Sequence, residues 1–128
     1  GVELETHWHN AGWAFDGNAT WQDARDPATG ARLLRRAARK GDLVLTRRFN
    51  DRLDAGIELY AEGPRPDLGG PLAGYALLNA RLNVALSPAW QLHLRAENLA
   101  DRDYALVRGF NTPGRSAWLE LAWTLPTR

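Results

Sequence analysis

Hydrophobic and polar residues alternate along much of this chain with a period of two. The clearest case is the segment 116–123, in which one set of alternate positions holds Ala117, Leu119, Leu121 and Trp123. The other set holds Ser116, Trp118, Glu120 and Ala122. Because successive side chains of a β-strand point to opposite faces, this period predicts a strand with two different faces.

The same alternation recurs along the chain and predicts seven strands. They cover residues 2–9, 13–22, 42–49, 53–62, 75–85, 90–97 and 115–123. Lengths of about 8 to 11 residues suit a tilted strand that crosses a bilayer. Strands of soluble sandwiches are more often about 5–6 residues long.

The predicted connections alternate in length. Three are short and three are long: the short ones are 10–12, 50–52 and 87–89, and the long ones are 23–41, 63–74 and 98–114. Short turns at one end and long loops at the other are typical of outer-membrane barrels. The pattern therefore predicts an all-β fold, an antiparallel up-and-down transmembrane β-barrel. Since seven strands cannot close an even-numbered barrel, we expect further strands upstream of Gly1.

Aromatic residues gather at the short-turn end. They are Trp8, Trp13, Phe49, Trp90 and Trp123, all on the predicted apolar face. Aromatic belts of this kind mark the membrane–water interface of barrels, so we interpret the group as half of an aromatic girdle. The alternative is a soluble barrel whose aromatic residues close one end.

Arg47 interrupts the apolar face of the third strand. An arginine at the bilayer midplane costs about 2–4 kcal/mol, but only about 0–1 kcal/mol near an interface. Since Arg47 is two residues from Phe49, we expect its side chain to extend to the inner headgroups. A β-bulge that shifts the register by one residue is the other solution.

Alternation alone does not say which face meets lipid, because a soluble ligand-binding barrel alternates as well. The apolar face is rich in Leu, Ala, Val and Trp along its whole length, as lipid contact requires. The opposite face carries charges of both signs, as in a hydrated lumen: Glu3, Glu5, Arg48, Glu58, Arg81, Arg95 and Glu120. A soluble small-molecule-binding β-barrel remains the main alternative. An enzymatic or adhesive outer-membrane barrel is a third hypothesis.

Composition removes several classes of function. The chain has 16 Lys and Arg against 15 Asp and Glu, so it lacks the basic footprint of a nucleic-acid-binding protein. Without cysteine it has no disulfide framework and no thiolate metal site. Neither a phosphate-binding Gly-rich loop nor a G-x-S-x-G motif occurs, so we expect no enzyme and no cofactor.

Two charged groups have both a functional and a structural interpretation. A basic run in the first long loop consists of Arg32, Arg35, Arg36, Arg39 and Lys40. These residues suit lipopolysaccharide phosphates or an anionic substrate, but a solvated loop or an extended strand explains them better. His7 and His9 are spaced for a shared metal ion, yet no third ligand is evident, so we expect no metal site.

Four segments resemble TonB-dependent outer-membrane receptors. Residues 97–104 read ENLADRDY and resemble the E-N-L-x-D-x-x-Y pattern before the last extracellular loop of that family. Residues 109–115 read GFNTPGR and resemble G-[YF]-x-x-P-G-R before the final strand. Gly1-Val2-Glu3 and Trp21-Gln22-Asp23-Ala24 are similar to upstream strand motifs. The N-T-P-G-R form, with N-L-x-D-R-x-Y before it, is most similar to the cobalamin (vitamin B12) receptor subgroup.

The resemblance implies a 22-stranded barrel in the outer membrane of a Gram-negative cell, with a plug domain inside it. It also implies energy from the inner membrane through TonB, and uptake of cobalamin or a ferric siderophore. Residues 1–123 would be the C-terminal strands and 124–128 a short tail. Two departures are Ala100, where the family has Leu or an aromatic residue, and the tail after Trp123, where the family ends on an aromatic residue.

The outer loops are the predicted substrate surface, and the partners are lipid, TonB through the missing plug, and a small molecule. We predict substrate contacts from Arg108, Phe110 and Asn111, with Tyr104 packed beneath them. The alternative is that residues 101–115 only stabilise the barrel rim. Asn98 and Asp101 are expected to accept hydrogen bonds from nearby backbone donors.

Overall fold

The computed structural model describes residues 1–125, which form one antiparallel sheet of seven strands in chain order. The strands are β1 (Val2–Asn10), β2 (Trp13–Trp21), β3 (Arg39–Asn50), β4 (Leu53–Glu62), β5 (Tyr75–Ala85), β6 (Trp90–Glu97) and β7 (Ser116–Trp123). This up-and-down order confirms the predicted fold class for the seven strands. Of the predicted tail 124–128, residues 126–128 lie outside the described part. Within residues 1–125 there is no helix of the length and apolarity that a membrane crossing requires.

Six strands agree with their predicted bounds to within one residue, whereas β3 begins three residues early. Its first residues pair with both neighbours: Arg39 lies opposite Trp21, and Lys40 lies opposite Thr20 and Glu62. Pairing with both neighbouring strands therefore extends β3 through a segment in which hydrophobic and polar residues do not alternate. Arg39 and Lys40 belong to this strand and not to the basic loop. The long loops are L1 (22–38), L2 (63–74) and L3 (98–115), and we call their end of the sheet the outer end.

The register brings the apolar positions of all seven strands onto one side of the sheet, the apolar face. One row across it runs from Gly17 through Leu43 and Leu59 to Leu78. At the other edge Leu94 lies opposite Leu119. These side chains stay open to the surroundings, and Leu119 is 68% exposed. The sheet alone therefore leaves a continuous apolar surface uncovered.

The opposite side, the polar face, is organised in rows that run across the strands. One row is continuous over five strands and consists of Arg48, Asp54, Asn83, His93 and Glu120. Within it Asn83 donates through Nδ2 to Asp54 Oδ2 at 2.8 Å, and its Oδ1 lies 2.8 Å from His93 Nδ1. Since an ionised carboxylate only accepts, the amide oxygen must face His93, and His93 Nδ1–H donates to it.

The Arg47 side chain extends to the short-turn end, as expected. Its Nη1 donates to the Ala11 carbonyl at 2.6 Å, and its guanidinium lies 5.0 Å from the Trp13 ring centroid and 5.9 Å from that of Phe49. A register shift does occur in β3, but it falls between Arg48 and Asn50, beyond Arg47. The bulge alternative is therefore wrong for Arg47, which remains on the apolar face. Trp90 and Trp123 pack there with ring centroids 6.2 Å apart.

Burial is concentrated at the outer end, where the long loops meet. The buried apolar residues of the described part are Ala37, Leu72 and Tyr75. The buried polar residues are Arg65, Asp67 and Asn98. Five of these six residues lie in loops, and Tyr75 is the first residue of a strand. The interior of this chain is thus a layer formed by its loops.

Candidate functional site

Asp67 joins all three long loops. It lies in L2, and its side chain is 1% exposed. Arg35 of L1 donates through Nε to Asp67 Oδ1 at 2.8 Å, and the Arg108 backbone N–H of L3 donates to Oδ2 at 2.7 Å. These two donors, the Arg108 N–H first, lower the pKa of the Asp67 carboxyl to about 2. We call this arrangement the Asp67 clamp.

Arg65 provides a second link between L2 and L3. Its Nη2 donates to the carbonyls of Ala105 at 2.8 Å and Leu106 at 3.4 Å. The guanidinium lies 5.4 Å from the Tyr75 ring centroid, and Nε is 3.6 Å from Glu62 Oε1. Burial of this cation is therefore compensated by a carboxylate, a ring face and two carbonyls. Its Nη1 is buried without an acceptor in the described part of the chain.

A cluster of tyrosines places this loop layer over the polar face. Tyr75 and Tyr60 donate to Glu62 Oε2 at 2.9 and 3.2 Å. Tyr104 of L3 packs on Tyr75 with ring centroids 4.7 Å apart. Glu62 and Tyr75 are cross-strand partners on the polar face, in the same row as Lys40. The loops consequently fold inward over the polar face and leave the apolar face bare.

Asn98 fixes the start of L3. Its backbone has a φ of +50°, and Asp101 has a φ of +51°; this left-handed conformation suits Asn and Asp better than most residues. Asn98 Oδ1 accepts from the Arg102 N–H at 2.8 Å, and Nδ2 donates to the Arg102 carbonyl at 2.9 Å. Asp101 Oδ1 accepts from the Arg115 N–H at 3.0 Å. The predicted role as an acceptor from a nearby backbone donor is confirmed for Asn98, whereas the donor to Asp101 is Arg115, 14 residues away at the other end of L3.

The four predicted substrate residues have different surroundings, and their role stays a prediction. Tyr104 is half-buried on Tyr75, and its carbonyl accepts from Thr112 Oγ1 at 2.6 Å. The Arg108 guanidinium donates to the Pro71 carbonyl at 3.0 Å, so it already holds L2. Phe110 is 72% exposed and Asn111 is exposed as well. Phe110 and Asn111 are therefore the two that L3 presents freely to the surroundings.

Charge is segregated between the loop layer and the polar face. The three loops hold eight Arg and five Asp, a net charge of +3. The polar face of the strands holds nine acidic residues and four basic ones, a net charge of −5. Because the whole chain has a net charge of +1, its composition conceals this separation.

The polar face offers hydrogen-bonding groups rather than a metal centre. Arg81 lies across Gly56 and donates to Thr46 Oγ1 at 2.9 Å. His7 Nδ1 lies 2.8 Å from Asp16 Oδ1. Among residues 1–125 no three His, Cys, Asp or Glu side chains are grouped so that they could hold a metal ion.

Sequence reasoning did not single out Arg65 and Asp67. Both belong to the segment Pro64-Arg65-Pro66-Asp67, which is followed by Leu68-Gly69-Gly70. Two opposite charges fixed between prolines were the available signal. Their roles were hidden because their partners are far away in the sequence. Arg35 and Arg108 lie 32 and 41 residues from Asp67. The carbonyls that Arg65 bonds lie 40 and 41 residues from it.

Comparison with known proteins identifies the fold and not the family. No protein-family model matches the chain, and no curated protein matches it. Among solved structures, the chain is similar to the copper transporter OprC, with a TM-score of 0.81 and 18% identity, over 94% of this chain and 22% of that one. It is also similar to the ferric-catecholate import receptor Fiu from E. coli K12, with a TM-score of 0.73 and 20% identity, over 93% of this chain and 19% of Fiu.

A third similar structure is the siderophore receptor PiuA from Acinetobacter baumannii, with a TM-score of 0.73 and 16% identity, over 94% of this chain and 21% of PiuA. The chain thus spans about a fifth of each of these structures. All three are named for transport or as receptors, and none of them is named for cobalamin.

Proposed function

We propose that this chain is part of the barrel wall of a TonB-dependent outer-membrane transporter that takes up a metal chelate. The apolar face would contact lipid and the polar face would line the lumen. Energy and the gating plug would come from parts of the protein outside these 128 residues. The chain itself would contribute part of the barrel wall, three outer loops and part of the substrate-binding surface.

The observation that carries this proposal is the side of the sheet that the loops cover. Tyr104 and Arg65 pack on Tyr75, a residue of the polar face. In a transporter the loops cover the mouth of a hydrated lumen, so the polar face should be the inside. In a soluble barrel the apolar face would be inside, and loops that close the barrel would pack against that face.

A ferric siderophore is our preferred substrate. Two of the similar structures are named for ferric-catecholate or siderophore import. Cobalamin is supported only by two short motifs, in residues 98–104 and 111–115. The net charge of +3 on the loop layer also favours capture of an anionic chelate.

Single-cysteine labelling tests which face meets lipid. The 128 residues contain no cysteine, so Leu119→Cys and Glu120→Cys each add one reporter to this stretch of the whole receptor. With a spin label, we expect Leu119→Cys to be relaxed by oxygen, which partitions into lipid. Glu120→Cys should be relaxed by a water-soluble nickel chelate. In a soluble barrel Glu120→Cys would still be relaxed by the nickel chelate, but Leu119→Cys, packed inside the barrel, would lack the strong oxygen relaxation of a lipid-facing label.

Uptake by cells tests the transport function. The complete gene is expressed in a Gram-negative strain that lacks its own siderophore receptors, with and without TonB. We expect accumulation of radioactive iron from a ferric siderophore in the TonB-containing strain alone. Equal accumulation in both strains would contradict an energised transporter.

A further inference from the structure

The apolar face carries positive charge and no negative charge. Its charged residues in the seven described strands are Arg39 and Arg47, near the two ends of β3. Neither belongs to an ion pair with a carboxylate of residues 1–125. Where such a face meets lipid, the counter-charge has to come from outside the chain. Arg47 is the more informative of the two, because a hydrogen bond and two ring contacts fix its side chain.

The Arg47 guanidinium is held against the first short turn. Its Nη1 donates to the Ala11 carbonyl at 2.6 Å. The turn is itself bound to β3, because the Arg48 N–H donates to the Gly12 carbonyl at 2.7 Å. Gly12 has a φ of +81°, and a Cβ there would lie only 2.7 Å from the Arg48 carbonyl oxygen. The position of the guanidinium is therefore set before any ligand arrives, and binding would order little further structure.

This guanidinium keeps most of its hydrogen-bonding capacity free. Two exposed rings approach it, with the centroid of Trp13 at 5.0 Å and that of Phe49 at 5.9 Å. On its other side the cross-strand neighbour is Ala55, which has only a methyl group to cover it. Apart from the bond to the Ala11 carbonyl, its donors have no acceptor in the described part of the chain. A planar fork of free donors matches the oxygens of a phosphate group.

The neighbouring surface indicates that this phosphate belongs to a lipid. Towards the middle of the sheet, the next pair on the apolar face is Leu45 and Ile57, which lie opposite each other. A lipid with its phosphate at Arg47 would lay an acyl chain along this pair and bury apolar surface. A free anion would gain nothing from these side chains. Aromatic residues such as Trp13 also favour the level of the lipid headgroups.

We propose that Arg47, together with Trp13 and Phe49, forms a binding site for the phosphate of an anionic lipid in the leaflet at the short-turn end. This inference rests on the proposed function, because it requires the apolar face to meet lipid. It goes further by assigning a preference for negatively charged lipid to one place on that face. The guanidinium binds the phosphate, and the two rings hold the guanidinium.

Quenching of Trp13 by brominated lipids tests the site. The whole receptor is placed in phosphatidylcholine vesicles that contain a small fraction of dibrominated phosphatidylglycerol or, separately, of dibrominated phosphatidylcholine. Emission from Trp13 is isolated as the difference between the receptor and its Trp13→Phe variant. We expect phosphatidylglycerol to be enriched about fivefold near Trp13 over its share in the vesicle, and therefore to quench more strongly than brominated phosphatidylcholine.

Arg47 and Arg48 supply a matched pair of variants. Arg47→Gln should abolish the preference for phosphatidylglycerol, leaving equal quenching by the two brominated lipids. Arg48→Gln removes the same charge one residue away on the polar face, and the preference should remain. Arg47→Lys keeps the charge without the planar fork, so part of the preference should persist. Boiled and unboiled gel samples verify that every variant is folded.

The site and the proposed function fail in different ways. If neither brominated lipid quenches Trp13, the apolar face does not meet lipid, and both are wrong. Equal quenching by the two lipids in the wild type would refute the site and leave the lipid contact intact. An equal loss of preference in Arg48→Gln would reveal a general effect of charge and overturn the site as well. Loss of the preference on adding inorganic phosphate at constant ionic strength would overturn the lipid as its ligand.

Discussion

The strands and the loop layer are organised by different kinds of interaction. In the sheet, a simple period and regular pairing place every side chain, and both faces remain largely open. In the loop layer, a few positions are held by specific contacts, and Arg65, Asp67 and Asn98 are almost fully buried. The sheet therefore depends on what surrounds it, whereas the loop layer has an interior of its own.

This difference teaches where each kind of substitution matters. On the sheet, the effect depends on which face a residue occupies, and neighbours on the same face are largely interchangeable. In the loops, the effect depends on the individual hydrogen bonds, so two identical substitutions a few residues apart should differ. The following predictions contrast matched pairs on these grounds.

The largest effect should come from a charge on the apolar face. Ile57→Arg places a cation near the middle of β4, and we expect it to destabilise the proposed transporter in lipid vesicles by about 2–4 kcal/mol. Val44→Arg is the control, since Val44 lies on the polar face directly opposite Glu58. Denaturant unfolding followed by gel mobility measures both. Equal or greater destabilisation by Val44→Arg would contradict apolar surroundings for Ile57.

In the loops, Asn98→Ala should lower the free energy of unfolding nearly as much as Ile57→Arg does in the sheet. It removes a buried side-chain amide that bonds both the N–H and the carbonyl of Arg102, and the loss of such hydrogen bonds costs about 1–3 kcal/mol. The same unfolding assay applies. Asn111→Ala makes the same change in the same loop at an exposed position, and we expect no measurable destabilisation. Similar losses for the two variants would contradict the specific role of the Asn98 amide.

A smaller effect is expected at the short-turn end of the apolar face. Arg47→Leu removes the contacts with Trp13 and Phe49 and the bond to the Ala11 carbonyl, and should cost about 1 kcal/mol. Arg47→Lys keeps the charge but not the planar stacking, so it should destabilise the protein less than Arg47→Leu does. If Arg47→Leu stabilised the protein in lipid, the interfacial position of Arg47 would be wrong.

The smallest effect concerns pH. The pKa of Asp67 is lowered from 3.8 to about 2, so the carboxylate stabilises the folded loops fully above pH 3.8. This stabilisation is lost as the pH falls through about 2. Between pH 7 and 4 we therefore expect no opening of the loop layer. Limited pepsin cleavage of L1 and L3 measures this at the acidic end of the range. Opening of L1 and L3 already near pH 5 would contradict the ionised clamp.

The strands could be predicted from the sequence because the alternation that specifies them is local. Alternation found all seven, and it failed only at residues 39–41, where cross-strand pairing with Trp21 and Glu62 extends β3. The local capping by Asn98 was predictable for the same reason, whereas the bond from Arg115 to Asp101 joins the two ends of L3. The Asp67 clamp was not, because Arg35, Asp67 and Arg108 come from three loops and no short motif links them.

Arg39 and Arg47 bracket the apolar face of β3, and their spacing sets a thickness. Eight residues at about 3.3 Å per residue, in a strand tilted by about 40°, rise about 20 Å. A typical hydrocarbon core is about 30 Å thick, and bacterial outer membranes are thinner than average. Placed in a thick bilayer, this strand would produce hydrophobic mismatch, drawing the lipid inward around it. In the proposed barrel, the two guanidinium groups would therefore match the apolar face of β3 to a thin membrane.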